Sequence, residues 1–303
     1  MPLKILPINF SFPKEKIVTS IPPKNLLLAP LIPGNKATYI YKNEFTYYNQ
    51  YKQSLFAITC KKGGWDCLRH YEIMACGCIP VFLNINDCPS NTMSLLPKNL
   101  FLEANTLYDS LKYKSFNQLT TDELTSCYIL IQKFLDYLIN NLTTENIANY
   151  IIKSTINISN PKILYLSGNS YPDYLKDLTL HGFKNIYKSN FHDYPKITHM
   201  YSDFIGNKNN LYGRGMTYSK TINSNLFLDL SENIIINNIT THFYDAIIYA
   251  SYHRGMPFFD IVKQYYDDSK IILLCGEDIH RCIDIKNKYK FKNHNFTLFV
   301  REL

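Results

Sequence analysis

The chain has 303 residues, 46% of them hydrophobic and 19% charged, with a formal net charge of +7 and a pI near 8.8. These values exclude intrinsic disorder and leave room for two domains. The cationic excess favours anionic ligands in general, whether nucleotide diphosphates, nucleic acid or an acidic membrane surface, and its sign alone does not choose among them.

In chain order, the segment Ile5–Pro13 reads like an interdomain linker with no domain before it. Ala37–Tyr41 follows as a strand, Glu44–Ser54 as a helix and Leu55–Cys60 as a second strand feeding a glycine loop. Gly63 and Gly64 permit unusual backbone conformations and close approach of amides to an anion. Asp66 is the expected cap of a helix running to Cys76, ended by Gly77 in the left-handed conformation. Ile79–Leu83 is short, apolar and bounded by glycine, which predicts a buried strand with Pro80 at its start. The alternation implies parallel strands, with ligands beyond their carboxyl ends, where the Lys61–Asp66 loop lies. On the helix, Arg69 and Glu72 share a face with their polar tips outward. Arg69 offers a planar set of donors suited to phosphate and Glu72 can accept from ribose hydroxyls, or the two form an ordinary surface pair of little energetic weight. Lys61 or Lys62 can neutralise a diphosphate or can be simply solvated.

Beyond Leu102 the pattern turns helical, over Thr106–Tyr113 and then over a long amphipathic stretch, Thr121–Ile152, in which Leu124, Ile131, Phe134, Leu135 and Leu138 recur at helical spacing. The polar run Ser154–Pro161 marks a boundary. The expected organisation is therefore a first α/β domain over residues 1–120, a helical connector over 121–160 and a second α/β domain over 161–303. In the second domain, strands are expected at Lys162–Gly168, Tyr244–Tyr249, Lys270–Cys275 and Phe296–Leu303, with helices near Tyr171–His181 and Phe258–Tyr266. If these strands are parallel, three strand ends deliver Ser167, Gly168 and Asn169, then His253 and Arg254, then Glu277 and Asp278, to one edge. His253, Asp278 and Glu277 are the candidate bases there. Arg254 can hold phosphate or an acidic acceptor, or can pair with Glu277 or Asp278 as a structural clamp. Gly213-Arg214-Gly215 reads as an exposed basic turn.

The string Gly64-Trp65-Asp66-Cys67-Leu68-Arg69-His70-Tyr71-Glu72, followed by Ala75-Cys76-Gly77-Cys78-Ile79-Pro80-Val81, resembles the donor-binding segment of exostosin-like glycosyltransferases. It covers about twenty residues. The resemblance implies two Rossmann-like domains facing a cleft, the GT-B type, and transfer of a sugar from a nucleotide-sugar to an acceptor hydroxyl, with inversion. It also implies donor contacts by Gly63, Gly64, Trp65, Arg69, Glu72 and Lys62, with Ser167, Gly168, Asn169 and Arg254 on acceptor or phosphate. Cys67 stands where the family usually has a small hydroxyl residue. The donor motif normally lies in the second domain of such enzymes, so its place near residue 70 suggests a circular permutation, which requires the chain ends to lie close. A sugar-nucleotide epimerase or hydrolase on the same scaffold, or a binding protein without catalysis, are the alternatives.

The expected co-substrate is the nucleotide-sugar alone, with no cofactor and no metal. The acceptor is a glycan, glycoprotein or lipid. Neither Lys61-Lys62 nor the loose basic run Lys286–Lys292 resembles a nucleic-acid module, so no nucleic-acid partner is expected. Five of the eight cysteines fall between Cys60 and Cys88 without a C-x-x-C pair, which argues against zinc or a disulfide cluster. Without a secretory leader or a membrane-spanning apolar run, the chain reads as cytoplasmic and reduced, and the N-x-S/T sequons at Asn141, Asn157, Asn238 and Asn295 carry no meaning. Its Asn, Ile, Lys and Tyr bias suggests an AT-rich source such as a virus, placing it in the host cytoplasm.

Overall fold

The computed structural model describes residues 3–278 and 294–303. The end of the expected Gly276–His280 turn and the basic run Lys286–Lys292 lie outside the described residues. The chain is α/β and divides into two compact units, one comprising Met1–Phe10 with Thr144–Leu303 and the other Ser11–Thr143.

Strand β1 (Lys4–Pro7) belongs to the first of these units and pairs in parallel with the last strand of the chain, Lys4 beside Thr297 and Pro7 beside Val300. The expected linker is thus partly an edge strand. Parallel pairing places Leu3 and Leu303 beyond opposite ends of these two adjacent strands. The unit Ser11–Thr143 is inserted after β1.

Within the inserted unit come β2 (Leu26–Leu28), α1 (Glu44–Lys52), β3 (Ser54–Thr59), α2 (Leu68–Ala75), β4 (Ile79–Phe82), α3 (Lys98–Leu111) and α4 (Thr121–Asn141). The three strands form a parallel sheet in the order β2-β3-β4. Every residue of β3 and β4 is buried, as parallel strands covered on both faces require. Pro80 sits opposite Ala57 on the edge strand β4, where a missing N–H is tolerated. The segment expected as the strand Ala37–Tyr41 is instead a 3₁₀ turn at Lys36–Thr38, capped by Asn35. Helix α4 opens with a Thr120–Glu123 capping box and buries Leu130, Ile131, Phe134, Leu135 and Leu138 at helical spacing.

The expected single connector is two helices, α4 in one unit and α5 (Thr144–Thr155) in the other. Then follow β5 (Ile163–Ser167), α6 (Tyr174–Tyr187), β6 (Phe191–Tyr194), α7 (Glu232–Thr240), β7 (Ala246–Ala250), α8 (Phe259–Tyr265), β8 (Ile271–Cys275) and β9 (Thr297–Val300). Among the described residues, six strands form one parallel sheet in the order β1-β9-β8-β7-β5-β6. One apolar core packs Leu164, Leu166, Ile247, Tyr249 and Leu273 against Ile235, Ile239 and Val262. No helix among the described residues is long and apolar enough to cross a membrane.

Candidate functional site

The glycine motif is built on β3, α2 and β4. Asp66 does not cap α2. The N-cap is Cys67, and Asp66 is buried with Oδ1 accepting from the Tyr71 hydroxyl at 2.9 Å. Gly77 ends the helix at φ +64, as expected. His70 latches the loop: Nε2 lies 2.9 Å from the Trp65 carbonyl and Nδ1 2.8 Å from Thr59 Oγ1. A carbonyl can only accept, so Nε2 carries a proton. Trp65 is buried, packs its ring on Phe82 and has the Lys61 ammonium 4.8 Å from its centroid. It braces the loop and is no open stacking surface for a donor base. Gly64 closes a tight turn by accepting from the Lys62 amide at 3.0 Å.

Arg69 and Glu72 are not the outward pair the spacing suggested. Glu72 is 7% exposed, and its Oε2 accepts from the Tyr47 hydroxyl at 2.7 Å. Arg69 has Nε and Nη1 buried without a hydrogen-bond partner. Its guanidinium lies 5.7 Å from the Tyr39 ring centroid, as does the Lys62 ammonium, and the Tyr39 hydroxyl is also buried without a partner. Burial works against the Arg69 charge, but the Tyr39, Tyr51 and Tyr47 phenols and the Glu72 carboxylate outweigh it and raise its pKa. A charged donor kept dry without an acceptor costs about 1–3 kcal/mol or more, which an anionic oxygen placed there would recover. Tyr39 was not legible as a site residue, because it reaches Arg69 from a turn distant in sequence. A groove of about 780 Å³ lined by Ser90, Lys98, Lys133 and Tyr137 shares no residue with the motif.

In the other unit, the parallel sheet brings the three expected strand ends together. A Cβ on Gly168 would lie 2.6 Å from the Arg254 carbonyl, so only glycine allows these two loops to touch. His253 Nε2 is 2.7 Å from Glu277 Oε1, and Arg254 Nη2 is 3.4 Å from Asp173 Oδ2 and 4.0 Å from Glu277 Oε1. Asp278 pairs with Arg301 rather than Arg254. Arg301 is buried and also binds Glu302 at 2.8 Å and the Gly276 carbonyl at 3.1 Å.

The loop Ser167–Asn169 is closed on internal partners. Ser167 Oγ donates to the Asn169 carbonyl at 2.5 Å, and the buried Lys176 ammonium donates to the carbonyls of Asn169 and Tyr171 at 3.1 and 2.6 Å. The start of α6 is likewise taken: Asp173 Oδ1 accepts from the Leu175 and Lys176 amides at 3.1 and 3.3 Å, and Oδ2 from Ser251 Oγ at 2.6 Å. Burial alone would raise the Asp173 pKa, but Arg254, Ser251 and Lys176 hold it below the usual carboxylate value. The chain's own carboxylate therefore fills the position where a helix N-terminus would hold phosphate. Ser167, Gly168, Asn169 and Arg254 form a self-satisfied clamp, which counts against a phosphate role for them.

Burial lowers the pKa of His253, with Arg254 assisting and Glu277 and Asp173 opposing, so the ring is neutral at neutral pH. Nε2 lies between the Arg254 Nε–H donor at 3.2 Å and the Glu277 carboxylate at 2.7 Å, and Nδ1 faces Cys275 Sγ at 3.8 Å. Cys275 is disulfide-bonded, which corrects the expectation of a wholly reduced chain. Burial, helped by Lys184, lowers His192 in the same direction. The unfolded chain takes up protons near 6.5 that the folded unit resists, so stability is present above that pH and lost below it. The melting temperature is expected to fall as pH drops below 6.5, and more shallowly in a His192→Gln/His253→Gln variant. A variant as steep as wild type would assign the dependence to other groups.

No group of three or more His, Cys, Asp or Glu side chains among the described residues is arranged to hold a metal ion. Compared with known proteins, the chain matches no family model, no curated protein and no solved structure.

Proposed function

We propose that the chain is a glycosyltransferase of the exostosin-like, GT-B type, in which the unit Ser11–Thr143 takes the nucleotide-sugar and the other unit supplies the acceptor-side groups. The observation that carries this reading is Arg69, whose Nε and Nη1 are buried, charged and without a partner beside the equally unpartnered Tyr39 hydroxyl. An anionic oxygen satisfies all three, and the motif Gly64–Val81 resembles a segment that binds a sugar nucleotide. The contrast with α6, whose start is already filled by Asp173, favours placing the diphosphate in the inserted unit.

Arg69 and Tyr39 donate to the departing diphosphate, with Lys62 adding charge, and Glu72, fixed by Tyr47, accepts from a ribose hydroxyl. The acceptor oxygen bonds to the anomeric carbon as the sugar–phosphate bond breaks on the opposite face, and the acceptor proton passes to a base. Of the three candidates, Glu277 suits that role best. Its side chain is 28% exposed against 8% for His253, whose Nε2 lies 2.7 Å from it, whereas Asp278 is committed to Arg301. Glu277→Gln is expected to reduce turnover of the preferred nucleotide-sugar and acceptor by roughly 10²–10⁴-fold while leaving nucleotide affinity unchanged. Donor turnover that needs no acceptor would make the chain an epimerase or hydrolase. Nucleotide binding without any turnover would make it a binding protein, and either result sinks the proposal.

A further inference from the structure

In the inserted unit, a groove of about 780 Å³ lies where the loop between β4 and α3 meets α4. Helix α4 lines it with Lys133, Asp136, Tyr137 and Asn140, which recur at three- and four-residue spacing and so share one face. Ser90 and Ser94 come from the loop and Asn99 from the first turn of α3, with Pro97 and Leu100 adding apolar surface. The loop is held in place before any ligand arrives. The Tyr137 hydroxyl donates to the Leu95 carbonyl at 2.8 Å, and the Lys98 ammonium donates to the carbonyls of Pro89 and Ser90 at 2.7 and 3.2 Å. Met93, in the same loop, is wholly buried at φ +54, a left-handed conformation that a residue with a side chain keeps only where its surroundings fix it, and such strain gathers at binding sites. The charged groups of the groove are already engaged: besides Lys98, Lys133 lies 2.7 Å from Glu103, and Asp136 accepts from Gln132 at 2.8 Å. Ser90, Ser94, Asn99 and Asn140 are the opposite case. They are exposed, and their side chains hold no hydrogen bond among the described residues.

We propose that this groove is a carbohydrate site that takes a short neutral oligosaccharide. Two serine hydroxyls and two carboxamides offer both donors and acceptors without net charge, which matches sugar hydroxyls, each itself a donor and an acceptor. The Tyr137 ring, anchored through its own hydroxyl, supplies with Pro97 and Leu100 the apolar surface that the C–H face of a sugar ring requires. The volume falls within the range of about 300–1,000 Å³ usual for small-ligand sites, and a preset loop lowers the ordering cost of binding. Inorganic phosphate is the poorer occupant, because Lys98 is committed to two carbonyls and the Asp136 carboxylate stands in the same lining. The inference does not depend on the glycosyltransferase reading, since the groove shares no residue with Gly64–Val81 and binding there needs no nucleotide-sugar.

The test is ligand-observed NMR titration of the full chain, without nucleotide, with four neutral trisaccharides: cellotriose, maltotriose, xylotriose and triacetylchitotriose. At least one is expected to bind the wild-type chain. Asn99→Ala and Asn140→Ala are each expected to weaken that binding by about 2–10-fold, the loss of one neutral hydrogen bond. Ser94→Trp, which fills the groove, is expected to abolish it. All three positions are exposed, so the melting transition of each variant should match wild type. Failure of all four sugars to bind, or binding that Ser94→Trp leaves intact, overturns the proposal. So does a bound trisaccharide that UDP displaces, which would place it at the glycine motif, or one that inorganic phosphate displaces, which would assign the groove to an anion.

Discussion

Arg69→Ala is expected to weaken nucleoside diphosphate binding about 10–100-fold without unfolding the chain. A hydrogen bond to a charged group contributes about 1.5–3 kcal/mol, and each 1.4 kcal/mol is a factor of about ten in affinity. Without ligand, Arg69 holds two buried donors with nothing to accept from them. Removing the guanidinium relieves that desolvation cost but also takes a favourable charge from the buried Glu72 carboxylate, so the ligand-free melting temperature should change little. Titration calorimetry against UDP, GDP, ADP and CDP, paired with thermal melts, reads both quantities. Arg69→Lys keeps the charge but loses the planar donor set, and should fall between wild type and alanine. Tyr39→Phe removes one neutral donor and should cost about two- to tenfold. An Arg69→Ala variant that binds as wild type does would place the diphosphate elsewhere. One that melts far below wild type would make Arg69 a structural residue.

What the sequence made legible follows the distinction between fully buried and partly exposed strands. Strands β3, β4, β5, β7 and β8 are buried at every position and so read as continuous apolar runs. Strands β1, β2 and β6 are partly exposed and lie at sheet edges, held by pairing with distant segments, so their local pattern is weak. Lys4–Pro7 consequently resembled a linker, and Leu26–Leu28 and Phe191–Tyr194 gave no strand signal. The site divides in the same way. The three strand ends carrying Gly168, His253 and Glu277 were legible because parallel order alone brings them together. Tyr39 beside Arg69, Tyr47 on Glu72, Asp173 at the start of α6 and Arg301 on Asp278 were not, because each partner comes from another part of the chain. Asp66 illustrates a local rule overridden: a residue well suited to capping is turned inward by Tyr71, and Cys67 takes the cap position.

Gly182→Ala is expected to be the most destabilising of the conservative glycine substitutions in the unit that holds α5 and α6. Alanine at the middle of a helix normally gains about 1 kcal/mol over glycine. Here a Cβ would lie 2.0 Å from the Thr144 carbonyl oxygen and 2.4 Å from its carbon, backbone atoms at the start of α5. The two helices would have to part by roughly an ångström, which breaks close packing and costs about 3 kcal/mol, the upper range of overpacking. The separation also strains the hydrogen bond between Thr144 Oγ1 and His181 Nδ1 at 2.9 Å and the Asn185–Glu145 contact at 2.8 Å. The net loss is about 2 kcal/mol, or roughly 4–8 °C in melting temperature for a unit of this size. Truncating Thr144 should not rescue it, because the collision is with the main chain, so Gly182→Ala/Thr144→Ala is expected to melt no higher than Gly182→Ala. Recovery in the double variant would mean that the Thr144 side chain, not the carbonyl, sets the approach of the two helices. Nucleotide affinity in the inserted unit should be unchanged in both variants, which separates this effect from that of Arg69.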